Sequence, residues 1–366
     1  GMVAVTRRPE PRGPLSERLL DALDGPVVPA WRLAQEAELA VDAAGAAVLD
    51  DDDVQLSLTV LYELHYRGGA GVDDRWEWSP DLVATRLALE EPMEQQLRDL
   101  VGPTVTLPDR VADVPAALFA LTAADSGPSL SAHLARRADR TEFREFLVHR
   151  SLYHLKEADP HTWAIPRLSG AAKAALVEIQ ADEYGGGRPD RMHATLFATA
   201  MRGSGLDDEP AGYLDLLPAV TLGWANTMSL FGLNRRLRGA LAGHLAALEM
   251  TSSLPNARYA RGVRRLGLPD QVAWFFDEHV EADAVHEQVA AHDLAGRLVA
   301  DEPRLLADVF FGAAAALATD ARVCEHLLSH WAAGRSSLRD SGLSGDSRPI
   351  AGDSTPRSRR ADDIVA

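Results

Sequence analysis

Cysteine is almost missing from this chain: among 366 residues there is one, Cys324. A single thiol excludes an internal disulfide framework and any thiolate-based zinc or iron–sulfur site. Long apolar runs are missing too. No stretch approaches the roughly 18 consecutive apolar residues of a spanning helix, and the first residues, GMVAVTRRPEPRGP, lack the apolar core of a secretory signal. Cations are in deficit, 37 Lys+Arg against 54 Asp+Glu, for a formal net charge of −17. Nucleic acid and anionic membrane surfaces both require clustered positive charge, so neither is expected as the main partner. What remains is an acidic, soluble chain, expected in the cytoplasm. Its length gives room for two domains or one elaborate helical one.

Strand signals are equally scarce. Ala, Leu, Glu and Arg dominate, and apolar residues recur at intervals of three and four, which predicts an all-α fold. The expected helices are about 29–46, 53–65, 79–100, 113–135, 140–158, 169–184, 189–203, 208–232, 233–253, 255–266, 269–298 and 302–334. Gly185-Gly186-Gly187-Arg188-Pro189 is a clear break, since glycine ends helices and proline opens them. The ends carry too little apolar surface to offset ordering entropy, so residues 1–15 and 335–366 are expected to be disordered. A weak boundary near 124–140 suggests an N-terminal helical region, 16–135, and a core domain, 136–334.

The chemistry lies where polar residues interrupt apolar faces. His279, Asp283 and His286 stand at i, i+4 and i+7, within about 60° of one another around a helix axis. Phe276 and Ala290 share their stripe, while Asp277, Glu278, Glu281 and Glu287 flank it or face away. Burying such groups is expensive, and metal coordination is a common compensation. Glu249 follows Leu241, Ala242 and Leu245 at helical spacing. Glu183 follows Leu176 and Ile179, whereas Glu178 and Asp182 share an outer face. Glu157 aligns with Tyr153, Arg150 and Phe146, and His193 with Leu196 and Phe197. Carboxylates and imidazoles spread over helices of one bundle, without thiolate, are the ligand mix for two bridged iron or manganese ions. His326 and His330, Glu145 and His149, and His154 read as packing or surface residues, with His154 the first exception to consider.

Together, Glu157, Glu183, His193, Glu249 and the His279-x3-Asp283-x2-His286 triplet resemble the ligand set of the haem-oxygenase-like diiron oxidases and oxygenases, the iron-containing redox enzymes. The resemblance covers about residues 140–300, and the stretch Leu61–Gly68 is similar to the auxiliary helical region of longer members. It implies a haem-oxygenase-like seven-helix bundle holding two Fe(II)/Fe(III) ions. It also implies O2 as co-substrate, an external electron donor and activation of O2 through a peroxo-diferric state. By that resemblance Glu157 is the first-helix carboxylate, Glu249 the central one, and Glu183 an additional ligand characteristic of the N-oxygenating branch. The expected reaction is therefore N-oxygenation of an amine, amino acid or amino-heterocycle in specialised metabolism, with Glu183 also catalytic. No cupin domain follows the bundle, so N–N bond formation is not implied. The same ligand set also serves enzymes that desaturate, decarboxylate or fragment amino or fatty acids, and a non-enzymatic iron-binding bundle is a further alternative. A haem oxygenase is disfavoured, because several acids would crowd an apolar macrocycle. A thiol-dependent hydrolase is disfavoured because Cys324 lies far along the last helix. Arg150, Arg167 and Arg202 are cations placed to meet a substrate carboxylate, and by analogy a homodimer forms through the N-terminal helices.

Overall fold

The computed structural model describes residues 6–102, 105–124, 129–340 and 342–345. Among these, an isolated bridge between Thr6 and Gly69 is the one β pairing, and helices account for the rest of the regular structure. The N-terminal helices are α1 (Pro14–Leu23), α2 (Arg32–Ala44), α3 (Asp52–Glu63) and α4 (Pro80–Val101). Two shorter ones follow, α5 (Val114–Ala123) and α6 (Leu130–Arg136). The core runs through α7 (Arg140–His154), α8 (Asp159–Thr162), α9 (Gly170–Glu183), α10 (His193–Gly203) and α11 (Ala219–Leu233). It continues with α12 (Arg238–Thr251), α13 (Ser253–Arg265) and α14 (Asp270–Gln288), then α15 (Arg297–Asp301) and α16 (Leu306–Ala332). Among the described residues no helix is long and apolar enough to cross a membrane.

Local chemistry explains most of the boundaries. The Asp139 side chain accepts from the Glu142 N–H at 2.8 Å and so caps α7, while Asp51 caps α3 through the Val54 N–H at 2.9 Å. Proline at the first position opens α1 and α4. Helix α12 crosses α16 at close range. A Cβ on Gly243 would overlap the Val309 carbonyl, and one on Gly312 the Ala240 carbonyl, so only glycine allows the two backbones to meet there. Helices α3 and α4 lie against α11 and α16, and one continuous apolar interior runs from Leu15 through Leu327.

Several boundaries depart from the sequence reading. Helix α7 stops at His154 rather than 158: Pro160 has no N–H to continue the ladder, and Ala158 turns left-handed at φ 77°. The expected helix at 113–135 divides into α5 and α6, and that at 208–232 begins only at Ala219. Helix α1 was not expected, yet Leu15, Leu19, Leu20 and Leu23 are all buried. The expected helix at 269–298 runs on to Asp301, with a π-helical segment, Val289–Gly296, between α14 and α15.

The disorder expected at the ends falls largely on residues outside those described. The described flanks are packed. Arg12, its side chain 1% exposed, pairs with Asp52 at 3.1 Å, and Ser337 bonds both Glu145 and His149.

Candidate metal centre

Seven residues singled out in the sequence converge in the middle of the core, in two groups. Glu157, Glu183, His193 and His279 form one, and Glu249, Asp283 and His286 the other; within each, one candidate ligand atom per residue lies within 4.8 Å of the others, and all seven residues are buried. The α14 triplet is therefore divided between the groups, one imidazole to the first and a carboxylate plus an imidazole to the second.

The first group depends on chain breaks more than on helical faces. Glu183 is the last residue of α9 and His193 the first of α10. Gly185, Gly186 and Gly187 all have positive φ, and a Cβ on Gly185 would come within 2.7 Å of the Met192 nitrogen. This glycine-only reversal brings His193 Nδ1 to 2.7 Å from Glu183 Oε2. Glu157 lies beyond α7, in the turn that Ala158 closes, not on the helical stripe expected for it. From that turn its Oε2 meets His193 Nδ1 at 3.0 Å and His279 Nε2 at 2.8 Å, and its Oε1 contacts His154. His279 is oriented by a 2.8 Å contact from Nδ1 to the Phe275 carbonyl. In the second group His286 Nδ1 stands 3.6 Å from Glu249 Oε2.

Burial and mutual repulsion dominate the electrostatics of both groups. Burial pushes Glu183 up, reinforced by Glu157 and partly offset by His193. Burial also drives Asp283 far up, with Glu249 beside it and Glu183 and Glu157 behind. Burial lowers the His193 imidazole, but Glu183 and Glu157 outweigh it and the net direction is up. His286 is raised to about 9, first by the adjacent Glu249 carboxylate and further by Asp182. Yet His193 Nε2, Glu249 Oε2, Asp283 Oδ2 and His286 Nδ1 are buried atoms without a hydrogen bond. Such orphaned donors and acceptors are rare in folded cores. Their chemistry, oxygen and nitrogen without sulfur, suits iron or manganese.

Sequence reasoning read one outer partner, Asp182, as solvent-facing and named another, His154, only as an exception to consider. Asp182, read as outward-facing, brings its carboxylate to 2.6 Å from His286 Nε2 although its side chain is 59% exposed. His154 reaches Glu157, as its position three residues earlier on the chain allowed. His161 and His244, not singled out in the sequence, form a buried pair with ring nitrogens 3.0 Å apart; His244 stands between Leu241 and Leu245 on α12, which was the available signal. The remaining decoys are structural. Glu145 accepts from Ser336, Ser337 and Trp331, His149 lies between Thr221 and Ser337, and the His326 and His330 rings stack at 4.0 Å.

A cavity of about 260 Å³ opens beside both groups, walled by Phe146, Tyr153, Trp224, Phe197 and Phe275. Of the three arginines considered for a substrate, only Arg150 lines it. Arg167 caps α11 through the Gly232 and Leu233 carbonyls, and Arg202 pairs with Asp208 on the surface. Cys324 also lines the cavity, contrary to the expectation from its place in the chain, but burial holds its thiol far above the usual range and makes it a poor nucleophile.

No curated protein matches the chain. Among solved structures, a CADD-like protein of unknown function from Nostoc punctiforme is similar over 66% of this chain and 97% of its own length, at 17% identity and a TM-score of 0.44. Residues 144–321 match the profile of the family described as iron-containing redox enzyme, and all seven residues of the two groups fall inside that span. The fold is the all-α, haem-oxygenase-like one, and its segment 144–321 is similar to the iron-containing redox enzyme family.

Proposed function

We propose that each of the two buried groups holds one iron ion, and that the pair activates O2 to oxidise a small molecule bound in the adjacent cavity. The observation that carries this reading is the coexistence of two adjoining acid–imidazole groups with four polar atoms that have no hydrogen-bond partner in the protein. Charge supports it as well: the four carboxylates Glu157, Glu183, Glu249 and Asp283 balance two divalent cations, whereas three imidazoles alone cannot settle four buried anions without taking up protons. When bound, two irons supply the electrons and Lewis acidity for oxygen chemistry that protein side chains lack.

The chain's own residues do the rest. Glu157 and Glu183 both meet His193 at Nδ1, orienting its ring. The Phe275 carbonyl fixes the His279 tautomer, and Asp182 engages the outer nitrogen of His286, as outer partners of metal-binding imidazoles generally do. Aromatic walls exclude bulk water from the reacting side. Glu183, at a helix end beside the glycine reversal, is the carboxylate best able to change its position during turnover. On that basis we assign the reaction as oxygen transfer to the nitrogen of an amine or amino-acid-like substrate, with electrons from an external donor.

The test is anaerobic titration of the metal-free protein with Fe(II), read by metal analysis, followed by O2 exposure with an amine panel and mass spectrometry. About two irons per chain and an amine product heavier by one oxygen are expected. One iron or none overturns the two-iron reading; two irons with a desaturated or shortened product keep the centre and remove N-oxygenation.

A further inference from the structure

The cavity has a second polar end. Its lining carries five carboxylates, and Asp320 is the one outside the two metal groups; Arg150 is the one Arg or Lys among the described lining residues. These two lie together, with Arg150 Nη1 2.7 Å from Asp320 Oδ1. The Arg150 guanidinium is sandwiched against aromatic faces, 4.9 Å from the Trp224 ring centroid and 5.7 Å from that of Phe146. Its side chain is 8% exposed, whereas that of Asp320 is 44% exposed, so the pair has a buried cationic half and an accessible anionic half. Beyond Asp320, Nη2 meets the Cys324 sulfur at 3.9 Å, a weak acceptor for a strong donor.

Position along the chain gives the spacing. Phe146, Arg150, Tyr153 and His154 are the α7 residues on the cavity wall, and Glu157 follows in the next turn. Arg150 stands one helical turn before His154, the α7 residue that contacts Glu157, a spacing on the order of 6 Å along the helix axis. A ligand held by Arg150 and Asp320 therefore reaches the metal groups only through its far end. The volume, about 260 Å³, is at the small end for ligand pockets and suits one compact molecule rather than a long acyl chain.

We propose that Arg150 and Asp320 bind the head group of an α-amino acid, Arg150 taking its carboxylate and Asp320 its ammonium, so that the side chain extends past Trp224 to the carboxylate–imidazole groups. One fixed cation beside one fixed anion is complementary to a zwitterion, and a guanidinium is the side chain best shaped for a carboxylate. A fatty acid would leave Asp320 unmatched and repelling it; a simple amine would leave Arg150 without a second anion. This assignment names the substrate class for the cavity and rests on the oxidase reading above.

Binding of three isosteric probes to the full-length, iron-loaded protein tests it under anaerobic conditions by calorimetry: L-norleucine, hexanoate and 1-aminopentane. L-Norleucine is expected to bind on the order of ten- to a hundredfold more tightly than either single-charge probe. Arg150→Met, which keeps the apolar stem, is expected to erase that advantage, and Asp320→Asn to reduce it, both with iron content unchanged. Asp320 is partly exposed, so its variant remains informative if Arg150→Met does not fold. Equal binding of the three probes, tighter binding of hexanoate, no binding of any, or an unchanged L-norleucine affinity in the Asp320 variant overturns the zwitterion site. Iron stoichiometry is read separately, so loss of this site leaves the two-iron reading standing, and a chain without iron refutes that reading whatever the probes do.

Discussion

Two sets of buried carboxylates sit in this molecule, and they are settled in different ways. Between the N-terminal helices and the core, Glu90 takes a hydrogen bond from Tyr62 at 2.6 Å and pairs with Arg86 at 3.2 Å, with Asn234 completing the set. Glu63 meets Lys156 at 2.8 Å and Thr6 at 3.0 Å. Fixed cations and fixed donors answer these acids permanently. Among the described residues no Lys or Arg is hydrogen-bonded or ion-paired to Glu157, Glu183, Glu249 or Asp283; Glu157, Glu183 and Glu249 face imidazoles, whose charge depends on protonation, and several atoms are left without any partner. The contrast teaches that burial of an acid is not itself a sign of function. A fully buried carboxylate matched by permanent charge is architecture, and one matched by removable protons is a place where a cation can enter.

The comparison breaks most sharply at Asp283 and His279. Asp283→Ala or His279→Ala is expected to remove at least one of two irons per chain, measured by metal analysis after anaerobic loading. Full iron content in both variants would dissolve the distinction between the two sets. Next in size, Glu90→Ala strips Arg86 of its buried partner and is expected to cost about 3–5 kcal/mol in urea unfolding. Its iron content should equal that of the wild type, and a fall in iron would show that the N-terminal acids are part of the centre.

A third kind of buried polar group sharpens the comparison. Burial lowers His161 to about 4 and drives His244 and His149 well below the ordinary value. Each is held neutral in the fold, while the unfolded chain protonates near pH 6.5. The stability they contribute is therefore complete above about pH 6.5 and is lost as the pH falls toward 4, on the order of 1–3 kcal/mol per imidazole. Urea midpoints of the metal-free protein across that range, compared with those of His161→Leu, measure it; parallel profiles would disprove it. Within the centre, the smallest effect on iron binding is expected at Glu183→Gln. Glu157, His193 and His279 remain, so iron should still bind, with affinity lowered about tenfold, while oxygen transfer fails. Undiminished turnover would take Glu183 out of the mechanism.

How much of this was legible depends on whether regular periodicity placed a residue. The α14 triplet and Glu249 sit on uninterrupted helices, where three- and four-residue spacing reports the facing direction, and they were readable for that reason. Glu157 was picked for its spacing, but the chain leaves the helix before reaching it, and a left-handed Ala158 sets its direction instead. Asp182 was assigned outward from the same wheel that placed Glu183 inward; an acid at the rim of a helix face can serve both sides, which a wheel cannot express. Helix α1 was hidden by its Pro- and Arg-rich approach, although its leucines kept helical intervals. The π segment left no trace in the sequence, because it is a change of hydrogen-bond partner and not of residue type. The Arg150–Asp320 pair joins residues 170 positions apart in the chain, and nothing short of packing brings them together.

The division of the triplet on α14 makes that helix a ruler. His279 serves one group and Asp283 with His286 the other, so their separation is counted in turns of a single rigid element. The backbone separation of these three ligands changes only if α14 bends. Deleting one residue between 279 and 283 would swing Asp283 and His286 about 100° around the axis, away from Glu249 on α12, while leaving His279 in place. The centre is thus tolerant of substitution along most of its walls but intolerant of any change in length at this one interval. A lineage that drifted there would lose half of the site in a single step.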